Sequence, residues 1–414
     1  MSCVVKGIQR MPDLDLDLLL EASSPGGATC LTSVTELVPA AGPHASVAPA
    51  KFASPRSARG GSSGAYAYEQ RYLDGVSSQA VLIDSKQSQL NRGEQALAQA
   101  IDEGHPLLSR LPRVVVTYEQ DGVVTEYSDL DLPHRVFDGH IRAGMVDGVP
   151  VTQLPAYRAV RDANPGNARA LLDVSPISLV LGSWDSSRAT RQGRWRSTLV
   201  GEIVGFCEST HATVKGGART DPVGMKIDLT ATALKQLAEQ QKSELSAKLF
   251  KKATSAKGDK LVSASMLGLG GIPPTLEALA GVACHRIIRS HVLSFAALRQ
   301  IRFGSGPEGD AACRALLGAL ALNALARSDS ELVLRANCDL MEQGPTQVRL
   351  DQRRGQTLEL PSLSIEAADD LLASSLSHAE QVAGVTWDGV VLRVTGNPAI
   401  VAGAIEEDSE AGNE

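Results

Sequence analysis

Strand-like and helix-like patterns interleave along these 414 residues without regular strand–helix alternation, and that irregularity constrains the fold more than any single motif. Residues 13–40 alternate like two strands, DLDLLLEAS and CLTSVTELV, separated by a Pro-Gly-Gly turn at 25–27. SQAVLID (78–84) reads as a further strand, followed by a helix that starts at Asp84 or Ser85 and runs to about Glu103. Leu90, Leu97 and Ile101 give that helix a core face, and Asp84 suits an N-cap. RVVVTYEQDGVVTEYS predicts a hairpin turning at Asp121-Gly122. Beyond it, helices are expected at 155–172, 229–252, 295–302, 311–326 and 364–383. Strands are expected at 284–294, 331–338 and 386–396, with a hairpin at 346–360.

The pattern suits an α+β, ferredoxin-like core carrying large insertions better than a doubly wound sheet. With 43% hydrophobic residues, such a core can be substantial. Residues 40–64, rich in Ala, Pro, Ser and Gly with only Lys51, Arg56 and Arg59 as charges, read as a flexible basic loop.

The net charge of −7 argues against a polyanionic partner, yet five of the negative charges lie in the tail at Glu406, Glu407, Asp408, Glu410 and Glu414, which leaves −2 for the remainder. Charge is also segregated. Residues 278–307 hold four arginines (Arg286, Arg289, Arg299, Arg302) and no acid, and six lysines face two acids between Lys242 and Lys260. In SPISLVLGSWDSSRATRQGRWRSTLVGEIVG (175–205), an apolar run read as a buried strand, Ile177 to Leu181, opens into a loop with Arg188, Arg191, Arg194 and Arg196. An amphipathic helix is expected after it. A cationic loop held by packed elements in an acidic chain calls for an anionic partner, and a phosphate backbone is the natural one. Trp184 and Trp195 flank the loop. Trp195, with Leu199, Ile203 and Phe206, sits at core spacing, which favours packing over base stacking.

The six cysteines are scattered, with no CxxC pair, and read as reduced small hydrophobes in a cytoplasmic protein. No secretory signal and no membrane-length apolar stretch stand out. GLGGIPP (268–274) is no dinucleotide loop, because Pro273-Pro274 forbids the helix that would bind the pyrophosphate. No metal and no cofactor are expected.

The segments LIDSKQSQLNR (82–92), LPHRVFDGHIR (132–142), residues 175–205, ARTDPVGMKID (218–228), residues 265–303 and LRANCDL (334–340) together resemble one family. It is the Cas-seven-type backbone subunit of the type I-G (formerly I-U) CRISPR effector, in the RAMP superfamily. The resemblance implies a ferredoxin-like, RRM-like palm over residues 1–400, with finger and thumb insertions near 186–194 and 206–283 and an acidic tail at 401–414. It also implies a subunit that polymerises head to tail along a crRNA and presents it to target DNA. The implied partners are copies of itself, a large subunit, a fused crRNA-processing and 5′-handle-binding subunit, and a recruited helicase-nuclease. Base pairing then reads sequence while protein reads backbone.

On this resemblance the RNA contacts are expected at Gln87, Ser88, Asn91, Arg92, His134, Arg135, Arg142, Arg188, Arg191, Arg194, Lys215, Arg219, His285 and Arg289. Alternation in the strand after Cys284 puts His285, Arg289 and His291 on one face, expected to be the open one. No catalytic residue is expected. The alternative is a ribonuclease using His134, or Asp221 or Asp185 with a metal.

Overall fold

A computed structural model describes residues 12–53, 64–120, 122–189, 193–210, 214–258 and 260–404. In chain order its principal strands are β1 (Cys30–Pro39), β2 (Tyr68–Leu73), β3 (Val76–Asp84), β4 (Arg113–Gln120), β5 (Val123–Ser128), β6 (Leu199–Phe206), β7 (Val214–Arg219), β8 (Ile272–Leu279), β9 (Arg286–Ser294), β10 (Leu340–Glu342), β11 (Gln347–Asp351), β12 (Thr357–Leu360) and β13 (Val390–Thr395). The principal helices are α1 (Leu16–Ser23), α2 (Lys86–Asp102), α3 (Ala231–Gln240), α4 (Ala247–Thr254), α5 (Gly306–Ser330) and α6 (Ile365–Ala383).

The main sheet runs β12-β11-β1-β9-β6-β3-β2, with β10 also paired to β1. Within it, β1, α2, β6, β9, α5 and β11 follow one another as βαββαβ, and their strands lie side by side in the order fourth, first, third, second. This is the split βαβ of a ferredoxin-like core. The α+β class expected from the sequence is the one observed. The hairpin β2–β3 extends one edge of the core and β12 the other. A second sheet, β5-β4-β13 with two short strands, Met145–Val146 and Val149–Pro150, is inserted between α2 and β6 and completed near the C-terminus.

One face of the main sheet is covered. Leu31, Ser33, Thr35 and Leu37 of β1, and Ile287, Arg289, His291 and Leu293 of β9, are all buried there. The 25-residue α5 is buried from Gly309 to Ala326 and packs against α6, α1 and α2. By length and composition it is apolar enough to cross a membrane, which the sequence expectation overlooked; its apolar window is wholly buried, as suits a core helix.

Several local expectations are corrected. DLDLLLEAS is helix α1, capped by Asp15, whose carboxylate accepts from the Leu18 amide at 2.9 Å. Ile177–Leu181 lies in a short helix, Pro176–Val180, and its closing residue, because an apolar run this short fits either structure and Pro176 starts the helix. The segment after Trp195 is strand β6, not an amphipathic helix. Its two glycines explain why: a Cβ on Gly201 would overlap the imidazole of His291, and one on Gly205 would lie 2.5 Å from the Cys284 sulfur. Residues 331–338 form no strand. Cys207, Cys284, Cys313 and Cys338 are buried free thiols, and burial raises the pKa of each.

Candidate nucleic-acid interface

The motifs expected to touch RNA first have to hold the fold together. At the end of β3, Asp84 is fully buried, and its carboxylate accepts from Ser88 Oγ (3.0 Å), Gln89 Nε2 (2.6 Å), Arg92 Nε (3.1 Å) and the guanidinium of Arg335. Burial alone would raise its pKa, but the hydrogen bonds from Arg92 and Gln89 outweigh that and hold it below the usual carboxylate value. Arg335 also donates to the carbonyls of Ile83 and Ala48, so LIDSKQSQLNR and LRANCDL interlock around one carboxylate. The helix N-cap is Ser85, not Asp84. Ser88 and Arg92 therefore point inward, while Gln87 and Asn91, one turn apart, stay exposed.

The same holds for β9. Its covered face, not its open one, carries Arg289 and His291, which corrects the sequence-based assignment of faces. Arg289 is 1% exposed and sits between Asp329 (3.3 Å) and Glu342 (2.8 Å). His291 meets Gln89 Oε1 at 3.1 Å, in the space that Gly201 leaves on the neighbouring strand. Burial, then the charge of Arg289, lowers the His291 pKa to about 3, so it is neutral. On the outer face, Arg71 is bidentate with Glu202, Arg286 pairs with Glu36 and Asp74, and Arg349 pairs with Glu359. His285, just before the strand, is exposed.

The chain between α2 and β6 also builds a cleft, from the turn at 134–142 and the segment at 184–187. Asp138 accepts from the amides of His134 (3.1 Å) and His140 (2.9 Å), shaping the PHRVFDGHIR turn. Arg135, in the left-handed region at φ 50°, is bidentate with buried Glu94 at 2.7 and 2.8 Å and also donates to the Gly182 carbonyl. Burial, opposed by the charge of Arg135, still pushes Glu94 up to about 6. His134, Arg142, Trp184, Ser186 and Ser187 line a cleft of about 400 Å³. Arg142 lies 3.4 Å from the buried carboxylate of Asp185 and is still partly exposed. His134 is exposed, and Trp184 is 47% exposed with Arg194 stacked over its ring at 5.3 Å. Trp195 is buried in the core as expected, although the helical spacing that suggested it is not realised, because Leu199–Phe206 is a strand. Arg188 bonds to Asp162 (3.1 Å) and the Arg161 carbonyl (3.0 Å), and Arg191 lies outside the described residues.

Between β6 and β9 the chain leaves the sheet as an antiparallel arm, β7–β8, tipped by α3 and α4 around a small core of Leu234, Ala238, Ala253, Ala264 and Leu267. Lys215 belongs to β7, and its side chain lies outside what is described; Arg219, at the outer end of β7, is exposed. Where arm meets tip, Val223, Met225 and Ile272 are exposed. Asp221 accepts from the amides of Val223 (2.8 Å) and Gly270 (2.9 Å), and these bonds lower its pKa. Sequence reasoning missed Trp184 as the exposed partner of the two tryptophans, although its place beside the arginine loop was the available signal.

Residues 31–208, from β1 to just past β6, match the family described as CRISPR-associated protein GSU0053. Over that stretch, less than half of the chain, it is similar to a CRISPR-associated protein family. It spans the motifs at 82–92 and 132–142 and residues 175–205; the arm, β9 and LRANCDL lie beyond it. No curated protein matches the chain.

Proposed function

We propose that the chain is the crRNA-binding backbone subunit of a type I-G surveillance complex, cytoplasmic and non-catalytic, that lines up head to tail on the guide and presents it to target DNA. The observation that carries this is the half-exposed Trp184–Arg194 stack beside the cleft of His134 and Arg142. An indole face with a guanidinium on it offers a base a stacking surface and a phosphate a charge in the same place. Exposed Gln87, Asn91, Arg219 and His285 supply further polar contacts. Copies joined by a heterologous interface form an open filament whose length the RNA sets. A large subunit, the fused processing subunit and a helicase-nuclease would complete the assembly.

The ribonuclease alternative gains no support from its candidate residues. Asp221 is engaged by two backbone amides and Asp185 by Arg142, and no hydrogen bond orients the His134 ring among the described residues. Purification from cells that make a matching guide tests the proposal. RNA should co-purify, Trp184→Ala with Arg194→Glu should lower its retention at least about tenfold, and the salt slope of binding should fall by about 1. Absence of bound RNA from the wild-type protein, or site-specific cutting of added RNA, would refute it.

A further inference from the structure

Lysine is confined in this chain to a degree that the guide-binding reading does not use. Eight of the twelve lysines fall between Lys226 and Lys260, a stretch with four acids and no arginine. In the structure this stretch is the tip of the arm. Thr230 caps α3 and Ser246 caps α4, and their helices close over a separate apolar core with Phe250 and Leu237 at its margin. The tip is thus a folded unit, joined to the main sheet by the β7–β8 strand pair, whose six-residue β7 is about 20 Å of extended chain.

Its cations differ in kind from those of the body. Lys248, Lys251 and Lys252 share one face of α4 and are exposed, as are Lys257 and Lys260 just beyond it. Among the described residues no ion pair involves Lys251, Lys252, Lys257 or Lys260. Lys242 lies over the Phe250 ring at 5.5 Å. Lysine presents a hydrated point charge on a flexible stem, suited to following phosphates without fixing a planar geometry, and the tip has no exposed aromatic ring to stack on bases.

We infer that the α3–α4 tip is a second binding site, separate from the guide cleft, that takes the phosphodiester backbone of a duplex through Lys251, Lys252 and their neighbours without reading sequence. Duplex is favoured over a single strand because the tip offers charge without stacking surface, and a duplex presents the denser row of phosphates. This goes beyond the guide-binding proposal and does not depend on it.

The test uses the full chain with whatever guide it retains, a fluorescent DNA duplex of arbitrary sequence, and a single-stranded RNA of equal length. Lys251→Glu/Lys252→Glu/Lys257→Glu should weaken duplex binding at least about tenfold at low salt and reduce the salt slope by roughly 3, while co-purified RNA stays at the wild-type level. Lys251→Arg/Lys252→Arg should bind as wild type, which shows that charge is what matters. Unchanged duplex affinity overturns the inference, and unchanged affinity with lost self-association would assign the tip to a protein contact instead. Equal loss of retained guide RNA would also overturn it, by merging the tip with the guide site. If the wild-type protein holds no guide but the tip variant still loses the duplex, the guide proposal falls and this one stands.

Discussion

The sheet-bearing body and the tip of the arm are both rich in cations, but they use them in opposite ways. In the body the charges are arginines locked to carboxylates: Arg92 and Arg335 on Asp84, Arg135 on Glu94, Arg289 between Asp329 and Glu342. At the tip they include Lys251, Lys252, Lys257 and Lys260, lysines standing in solvent. A planar guanidinium can satisfy a buried carboxylate with two parallel bonds, whereas an ammonium is better left hydrated. A count of positive residues therefore measures available charge poorly; what matters is how many are already neutralised inside the fold.

The largest effect expected from breaking this contrast is at Asp84. Asp84→Ala leaves Arg92 and Arg335 without their shared acceptor, and unfolding in urea should show a loss of about 3–5 kcal/mol. A loss under about 1 kcal/mol would mean that the network does not hold α2 to the sheet. Next comes Gly201→Ala, whose methyl collides with His291 and should cost about 1–3 kcal/mol. His291→Ala in the same chain should recover much of that loss, and failure of this rescue would place the strain elsewhere.

A third, smaller effect concerns pH. Burial pushes Asp129 up to about 7, opposed by hydrogen bonds from Ser175 and the Val114 amide. The native state thus keeps a proton that the unfolded chain releases near pH 4, so this group stabilises the fold in acid and the contribution fades as pH rises from about 4 to about 7. His291, lowered to about 3, acts in the opposite sense below about pH 6.5, because the unfolded chain takes up the proton that the native state refuses. Comparing Asp129→Asn with wild type isolates the first slope: the gap between their melting temperatures should change steadily across that range, and a constant gap would contradict the assignment. The smallest stability effect is expected at the tip, where the triple lysine reversal should shift unfolding by no more than about 0.5 kcal/mol. A larger shift would show that those lysines are structural after all.

The fold class, the helix after SQAVLID and the hairpin at 113–128 were legible because each carries a long, regular period. What was not legible follows from distance along the chain. Alternation alone assigns Arg289 and His291 to an open face, because their partners, Glu342, Asp329 and Gln89, are remote in sequence and nothing near β9 announces them. The β6 error is more instructive. Leu199–Phe206 is mostly buried on both faces despite Glu202, which blurs the period of two, and its glycines make room for side chains that pack against the strand. Of the expected RNA contacts, Gln87, Asn91, His134, Arg194, Arg219 and His285 reach the surface, while Ser88, Arg92, Arg135 and Arg289 turn inward.

The arm departs at the end of β6 and returns at the start of β9, two strands that are hydrogen-bonded neighbours. Its stem could be exchanged for a tight hairpin turn without moving a single rung of the ladder, and lengthening it adds only a slowly growing closure entropy. That junction is a natural splice point, where a graft or a deletion would change what the molecule reaches while leaving how it folds alone.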